Sequence, residues 1–287
     1  MKYKKIKVKL KPNNEIAASL LMDAMGERGF ESFVESDWGF EGYIQEKDWD
    51  DVQTMEGVEP EIKGIKMSWQ AEDAPDEDWN AEWEKTGYTP IYIADGRCVI
   101  HGPEVTERLG KELDVVIDPK NAFGSGHHET TRMIVKRLMG MGNISGKRVM
   151  DMGCGTGVLG IVAALCGAEH VDAVDIDEWS VRNTLENAEL NHIAEKVTAW
   201  EGSAETLTGH ENQYDIFIAN IFREIIIGGM EAYAAATRPG GTMILSGFLS
   251  ADLEAIKAAG AKHGMAFVRY ESDGDWRMCE LRKQLHN

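Results

Sequence analysis

The sequence predicts an α/β protein in two parts: a small mixed unit, then an open, largely parallel sheet whose last two strands form an antiparallel hairpin. Three observations carry this expectation. Stretches of alternating apolar and polar residues recur between stretches with apolar residues three and four apart, the pattern of strands alternating with covering helices. An acidic run at residues 70–80, QAEDAPDEDWN, separates two such patterns. Near the end, Ser272-Asp273-Gly274-Asp275 lies between two strand-like runs, and Asp-Gly is a strong hairpin turn.

In the first part, residues 3–10 alternate with period two, and residues 13–26 set Ile16, Leu20, Leu21 and Met25 at helical spacing. Residues 30–35 and 40–45 read as strands around a Ser36-Asp37-Trp38-Gly39 turn, 48–55 as a second helix with an acidic cap, and 62–69 as a fourth strand. The order β-α-β-β-α-β is the split βαβ, or ferredoxin-like, arrangement. The polar run with Pro75 then reads as a linker. The expected division is a unit at 1–70, a linker at 71–82 and a second domain at 83–287.

In the second part the strands expected are 148–152, 171–176, 197–201, 214–219 and 242–246, with helices at 158–166, 180–190, 223–237 and 251–263 between and after them. The hairpin strands, 267–271 and 276–281, bring the sheet to seven.

Composition narrows the function. With 287 residues and 43% hydrophobic content, the chain can pack a core and is not a disordered polymer. No apolar run approaches the roughly 20 residues of a membrane span. The start MKYKKIKVKL alternates like a strand and has no apolar h-region, so it is not a signal peptide, and a cytoplasmic location is expected. Cys98, Cys154, Cys166 and Cys279 form no C-x-x-C pair, which argues against a disulfide framework and a structural zinc site. Thirty basic against 49 acidic residues leave a charge of −19. Such a surface disfavours nucleic acid, whose phosphates need Lys and Arg, and suits a basic protein partner.

The chemistry concentrates in three clusters. Asp151-Met152-Gly153-Cys154-Gly155-Thr156-Gly157 joins a strand to a helix through a glycine turn, where bare backbone can approach a ligand and the helix N-terminus offers free N–H groups. Twenty residues after Gly155, Asp175 and Asp177 end the next strand, at the place where a carboxylate accepts hydrogen bonds from ribose hydroxyls. Gly155, Gly157 and Gly160 also satisfy G-x-G-x-x-G, the dinucleotide pattern. Asp151 before the first glycine, the tight glycine run and the closing hairpin favour S-adenosylmethionine instead.

The second cluster is the loop 118–131, DPKNAFGSGHHETT, with glycines and hydroxyls suited to folding over a ligand. His127 and His128 are adjacent and lack a third spaced ligand, so they are expected to face solvent and bind no metal. Cys154 is expected to pack within the turn and not to act as a nucleophile. In the third cluster, Asp215-Ile216-Phe217-Ile218-Ala219-Asn220, an apolar strand delivers an amide at its carboxyl end, the edge where open α/β sheets bind ligands. Asn220 can cap the following helix, or it can hold a cofactor or an incoming amine, since its amide both donates and accepts.

These clusters resemble the methyltransferases that modify amino groups of the eleventh large-subunit ribosomal protein. The resemblance rests on the D-P-x-x-A-F-G-S-G-H-H-E-T-T loop at 118–131, D-M-G-C-G-T-G at 151–157, V-D-I-D at 174–177, I-A-N-I at 218–221 and the DWNAEW run at 78–83. It implies a Rossmann-like class I S-adenosylmethionine-dependent domain behind a ferredoxin-like domain that docks the ribosomal protein. It also implies cofactor contacts at Thr131, Gly153, Asp175 and Asn220, with Phe123, Asp151 and Gly155 beside them. The chain departs from the family where Ser125 and His127 replace threonine, Glu129 replaces proline, and Phe222-Arg223-Glu224 replaces a small-residue and proline segment. A monomer methylating lysine side chains or the N-terminal α-amine of that protein is expected. The alternative is an N-methyltransferase acting on another protein or a small molecule.

Overall fold

Lysines alternate with Ile6, Val8 and Leu10 along β1 (Tyr3–Lys11), and the three apolar side chains are buried while the lysines face outward. That alternation sets the register of a four-stranded sheet. The computed structural model describes residues 3–73 and 89–285, except 27, 37, 51–53, 56, 61, 63, 108 and 121–123. The chain divides into two compact units, Met1–Lys85 and Thr86–Asn287.

In the first unit, α1 (Glu15–Gly26), β2 (Phe30–Ser36), β3 (Gly39–Gln45) and β4 (Lys66–Asp73) follow β1, and the strand order is β2-β3-β1-β4 with every pairing antiparallel. Ala17, Leu21 and Met25, four apart on α1, pack with Ile6, Val8, Phe40 and Ile44 in one core. This is the ferredoxin-like order expected. β4 lies four residues later than expected. Gly64, with φ +93°, turns the chain before it, and residues 70–73 are strand because β1 holds their acids. Lys5 and Lys7 each place Nζ 2.9 Å from Glu72 Oε1, and Lys4 pairs with Asp73. Hydrogen bonds from Lys5 and Lys7 hold the Glu72 carboxyl down at about 2. The acidity that read as linker is thus partly cross-strand pairing. The helix expected at 48–55 falls mostly outside the described residues, beyond a 3-10 turn at Glu46–Asp48. The linker beyond residue 73 and the run 78–83 lie outside them too.

The second unit opens with a small sheet that the sequence reading had not anticipated. β5 (Ile91–Ile93), β6 (Cys98–His101) and β7 (Leu113–Val116) lie in that order, too short to show a period. Then come α2 (Glu129–Met139), β8 (Arg148–Met152), α3 (Val158–Leu165), β9 (His170–Asp175), α4 (Glu178–Leu190), β10 (Val197–Glu201), β11 (Tyr214–Asn220), α5 (Arg223–Ala236), β12 (Thr237–Leu249), α6 (Leu253–Lys262), β13 (Met265–Asp273) and β14 (Trp276–Lys283).

The large sheet has the order β10-β9-β8-β11-β12-β14-β13. Only β14 runs against its neighbours. Helices cover both faces, so the strands read as nearly continuous apolar runs. On β11, Ile216 and Ile218 enter one core with Val149 and Ile161, while Phe217 and Ala219 enter the other with Met150 and Tyr233. The strand order reverses between β8 and β11. In such sheets the crevice at the strands' carboxyl ends, at that reversal, is where ligands bind.

Candidate functional site

Three left-handed glycines shape the turn after β8: Gly153 at φ +73°, Gly155 at +55° and Gly157 at +79°. The Gly153 amide donates to the Val174 carbonyl at 2.7 Å, and that of Gly155 to Asp175 Oδ2 at 2.9 Å. A Cβ on Gly153 would lie 2.3 Å from Ile221 Cγ2, and one on Gly157 would lie 2.7 Å from Thr184 Cγ2. The turn therefore touches the segments after β9 and β11, and only bare backbone fits it.

The two acids after β9 divide the work. Asp177 caps α4, accepting from the amides of Trp179 and Ser180 at 3.2 Å each. Asp175, half-buried at the strand tip, accepts from Gly155 and, through Oδ1, from the Asp177 amide at 3.1 Å. A carboxylate offers about four acceptor positions, so Asp175 keeps capacity for further donors.

Asp151 is 1% exposed. Its Oδ2 accepts from the Gly160 amide at 2.8 Å, while Oδ1 has no partner among the described residues. Burial pushes its carboxyl up to about 7, the Asp175 charge adds to this, and the Gly160 N–H opposes it. Asn220 ends β11 with Nδ2 3.5 Å from Thr131 Oγ1, and its buried Oδ1 also lacks a partner. It is not a helix cap: α5 starts at Arg223 with Phe222 in the cap position and no side-chain cap. Leaving a buried polar atom unpaired costs roughly 1–3 kcal/mol, and two such oxygens, on Asp151 and Asn220, occur in this one region.

The loop before α2 is tied at both described ends. Thr156 Oγ1 donates to the Gly124 carbonyl at 2.8 Å. His128 caps α2 by accepting from the Thr130 amide, and its ring meets Trp276 edge-on with centroids 4.7 Å apart. Thr130 and Thr131, each 2% exposed, lie inside the helix. His127 Nδ1 sits 3.2 Å from Ser125 Oγ. Phe123 lies outside the described residues. The Cys154 thiol is buried, burial raises its pKa, and Thr184 Oγ1 lies 3.3 Å from its sulfur, an environment for packing and not for attack.

The structure thus gathers Gly153, Gly155, Asp151, Asp175, Asn220 and Thr131 at the strand-order reversal. Sequence reasoning missed the support beneath them. Asn183, Asn187 and Asn191 form a ladder along α4. Asn187, wholly buried, accepts from the Asp118 amide and donates to the Thr156 carbonyl, at 2.9 Å each. Asn183 donates to the Asp118 carbonyl, and Asn191 bonds both backbone groups of Val116. Three asparagines spaced by four were the available signal.

An orphaned amide oxygen, an orphaned buried carboxylate oxygen, a glycine turn that admits no side chain and an acid at the strand tip fit a ligand with a cationic amine and a ribose. With a seven-stranded sheet closed by an antiparallel hairpin, they define a class I, Rossmann-like methyltransferase whose cofactor is S-adenosylmethionine. A family model described as Ribosomal protein L11 methyltransferase (PrmA) matches residues 17–284, and the chain belongs to that family. A protein named Ribosomal protein L11 methyltransferase from Bacteroides fragilis is 39% identical over 277 residues, covering 96% of this chain and 98% of the relative. One of the same name from Deinococcus radiodurans is 35% identical over 220 residues, covering 73% and 78%. The crystal structure of a ribosomal protein L11 methylase from Lactobacillus delbrueckii subsp. bulgaricus superposes with a TM-score of 0.61 at 24% identity, covering 67% of this chain and 98% of that one. At that identity the likeness speaks for the fold. The family resemblance read from the sequence is borne out.

Proposed function

We propose that the chain methylates amino groups of ribosomal protein L11, on lysine side chains, the N-terminal α-amine or both. Membership of the family and the names of the relatives support the substrate. The observation that carries the chemistry is the buried, unpartnered Oδ1 of Asn220 at the strand-order reversal. It awaits a donor, and an amine is one.

S-adenosylmethionine, when bound, supplies an electrophilic methyl group on a sulfonium. Asp175 would hold the ribose hydroxyls, Gly153 and Gly155 would admit the ligand against bare backbone, and Phe123 would stand beside them. Asp151, Thr131 and Asn220 would hold the methionine end or the acceptor amine. The acceptor must be neutral to attack, and a lysine near 10.4 starts further from readiness than an α-amine at about 7.7–8.0. Partial desolvation lowers either value. Among the described residues, none of the groups at this crevice is placed as a dedicated base. Positioning alone can supply roughly 7–11 kcal/mol of barrier reduction, and Asn220 orients rather than accepts the proton.

The division of labour follows the sequence expectation with its first boundary moved, since residues 71–73 belong to β4 and not to a linker: the first unit docks the ribosomal protein and the second carries the chemistry. The charge of −19 suits a basic protein substrate through complementary fields. The same charge disfavours direct nucleic-acid contact and opposes self-association, so the chain acts as a monomer. Such a substrate suits a cytoplasmic location. Among the described residues no helix is long and apolar enough to cross a membrane.

The test is turnover on purified ribosomal protein L11 at saturating cofactor, read by mass spectrometry. The native chain should add methyl groups and Asn220→Ala should be slower by about a hundredfold, the scale of losing one polar group that acts on the reacting centre. A native chain that leaves the protein unmodified overturns the proposal. Unchanged turnover in Asn220→Ala removes the role given to the amide.

A further inference from the structure

Arg132 stands one residue after Thr131 in the first turn of α2 and makes three contacts. Its Nη1 donates to the carbonyl of His127, at the end of the loop. Its Nη2 lies 3.1 Å from Asp273 Oδ2 and 3.4 Å from Glu129 Oε1. Asp273 ends β13, 141 residues away in the chain, and its register partner across the hairpin is Trp276. Trp276 in turn meets the His128 ring in a T-shaped pair. One rung of the hairpin, Asp273 with Trp276, therefore holds two consecutive parts of the loop-to-helix junction: the His127 carbonyl through Arg132, and the His128 ring directly.

The consequence falls on the neighbouring Thr131, whose hydroxyl faces Asn220 Nδ2 at 3.5 Å. A planar guanidinium with five N–H donors can grip a carbonyl and a carboxylate at once, which an ammonium cannot do with the same fixed angle. Further down the same helix, Arg137 reaches Glu280 on β14 at 2.7 Å, so the hairpin braces α2 at both ends. That second brace is buried and belongs to the core. The Arg132 brace is half-exposed, at the ligand-facing end, and adds little to a core.

We infer that Arg132 is a positioning residue for the cofactor site, holding Thr131 and the His127-His128 end of the loop against the Asp273–Trp276 rung of the hairpin. The inference rests on the proposed cofactor site and adds to it a residue outside the three clusters. Arg132 touches no reacting atom, so its loss weakens cofactor retention and leaves the chemical step in place.

The experiment is titration of S-adenosylhomocysteine into the full chain, native, Arg132→Gln, Asp273→Asn and the double variant, with Tm and with turnover at saturating cofactor measured alongside. Exposed ion pairs are worth little individually, so Arg132→Gln, which also loses the carbonyl, should weaken binding about three- to fivefold and Asp273→Asn about twofold. The double variant should be no weaker than Arg132→Gln, because contacts in one network do not add. Turnover at saturation should stay within about twofold and Tm within a few degrees. A native chain that binds no S-adenosylhomocysteine overturns the cofactor reading and this inference with it. Native binding with equal affinity in Arg132→Gln and Asp273→Asn overturns this inference alone, as does weakening in Arg132→Gln matched by an equal loss of turnover at saturation.

Discussion

Asp175 Oδ2 accepts the backbone N–H of Gly155 at 2.9 Å, joining the tip of β9 to the glycine turn that follows β8. The acid proposed to hold ribose is therefore also a structural member of the turn. Asp175→Ala leaves the buried Gly155 amide without its partner, a loss of about 1–3 kcal/mol. Asp175→Asn keeps a carbonyl acceptor and should lose less than half of that. Urea denaturation of both variants checks the order, and equal stability of the two would contradict it.

Gly153 combines a φ of +73° with 2.3 Å of room before Ile221 Cγ2. Gly153→Ala should cost about 1–2 kcal/mol for the left-handed backbone and more for the contact. Truncating the neighbour, as Ile221→Ala, should recover the contact part and leave the backbone part. A double-mutant cycle by urea denaturation reads the coupling, and an additive result would mean that the turn does not press on the segment after β11.

The Asp151 carboxyl stands at about 7 in the folded chain against an ordinary 3.8, chiefly through burial. The folded state keeps a proton that the unfolded chain releases, so this group's contribution favours folding below the ordinary value and is lost as pH rises from there to about 7. Asp151→Asn should therefore gain stability relative to the native chain over that range and hold a constant difference above it. A cationic amine at Oδ1 would favour the ionised form. Native affinity for S-adenosylmethionine should then rise between about pH 6 and 8, the span around the raised pKa, and the rise should vanish in Asp151→Asn. Flat native affinity across that span would contradict it.

Asn187 satisfies the Asp118 amide and the Thr156 carbonyl from a fully buried position. Asn187→Ala strands both and should destabilise the chain by about 2–4 kcal/mol, among the larger single-residue effects. Asn183→Ala, which gives up its bond to the Asp118 carbonyl and the longer one it accepts from Asn187 Nδ2, should cost less because it takes a partner from one backbone group and not two. Chemical denaturation ranks the two.

Much of this architecture was legible because strong periods announce it. The β1 alternation of Ile6, Val8 and Leu10 and the apolar run of β11 fixed their elements closely. What stayed hidden was set by partners distant in the chain. Residues 70–73 offer only Ala71 to the core, and the acids beside it pair with Lys4, Lys5 and Lys7 of β1. The sheet of β5, β6 and β7 has strands of three or four residues, below any readable period. In the site, Gly153, Asp175 and Asn220 stood out because glycine turns and strand tips have local signatures. The choice between cap and ligand for Asn220 needed the structure, which gives the cap position to Phe222. Asn187 acts through backbone groups far away in sequence, with only the spacing of Asn183, Asn187 and Asn191 to hint at it, and Arg132 reaches a carboxylate 141 residues on.

The most direct measurement is incubation of the full chain with methyl-labelled S-adenosylmethionine and the complete set of large-subunit ribosomal proteins, resolved by mass. Label on ribosomal protein L11 alone, abolished or strongly slowed in Asn220→Ala, is the result predicted. Bound cofactor with no ribosomal protein labelled, or label concentrated on a different protein, would contradict it.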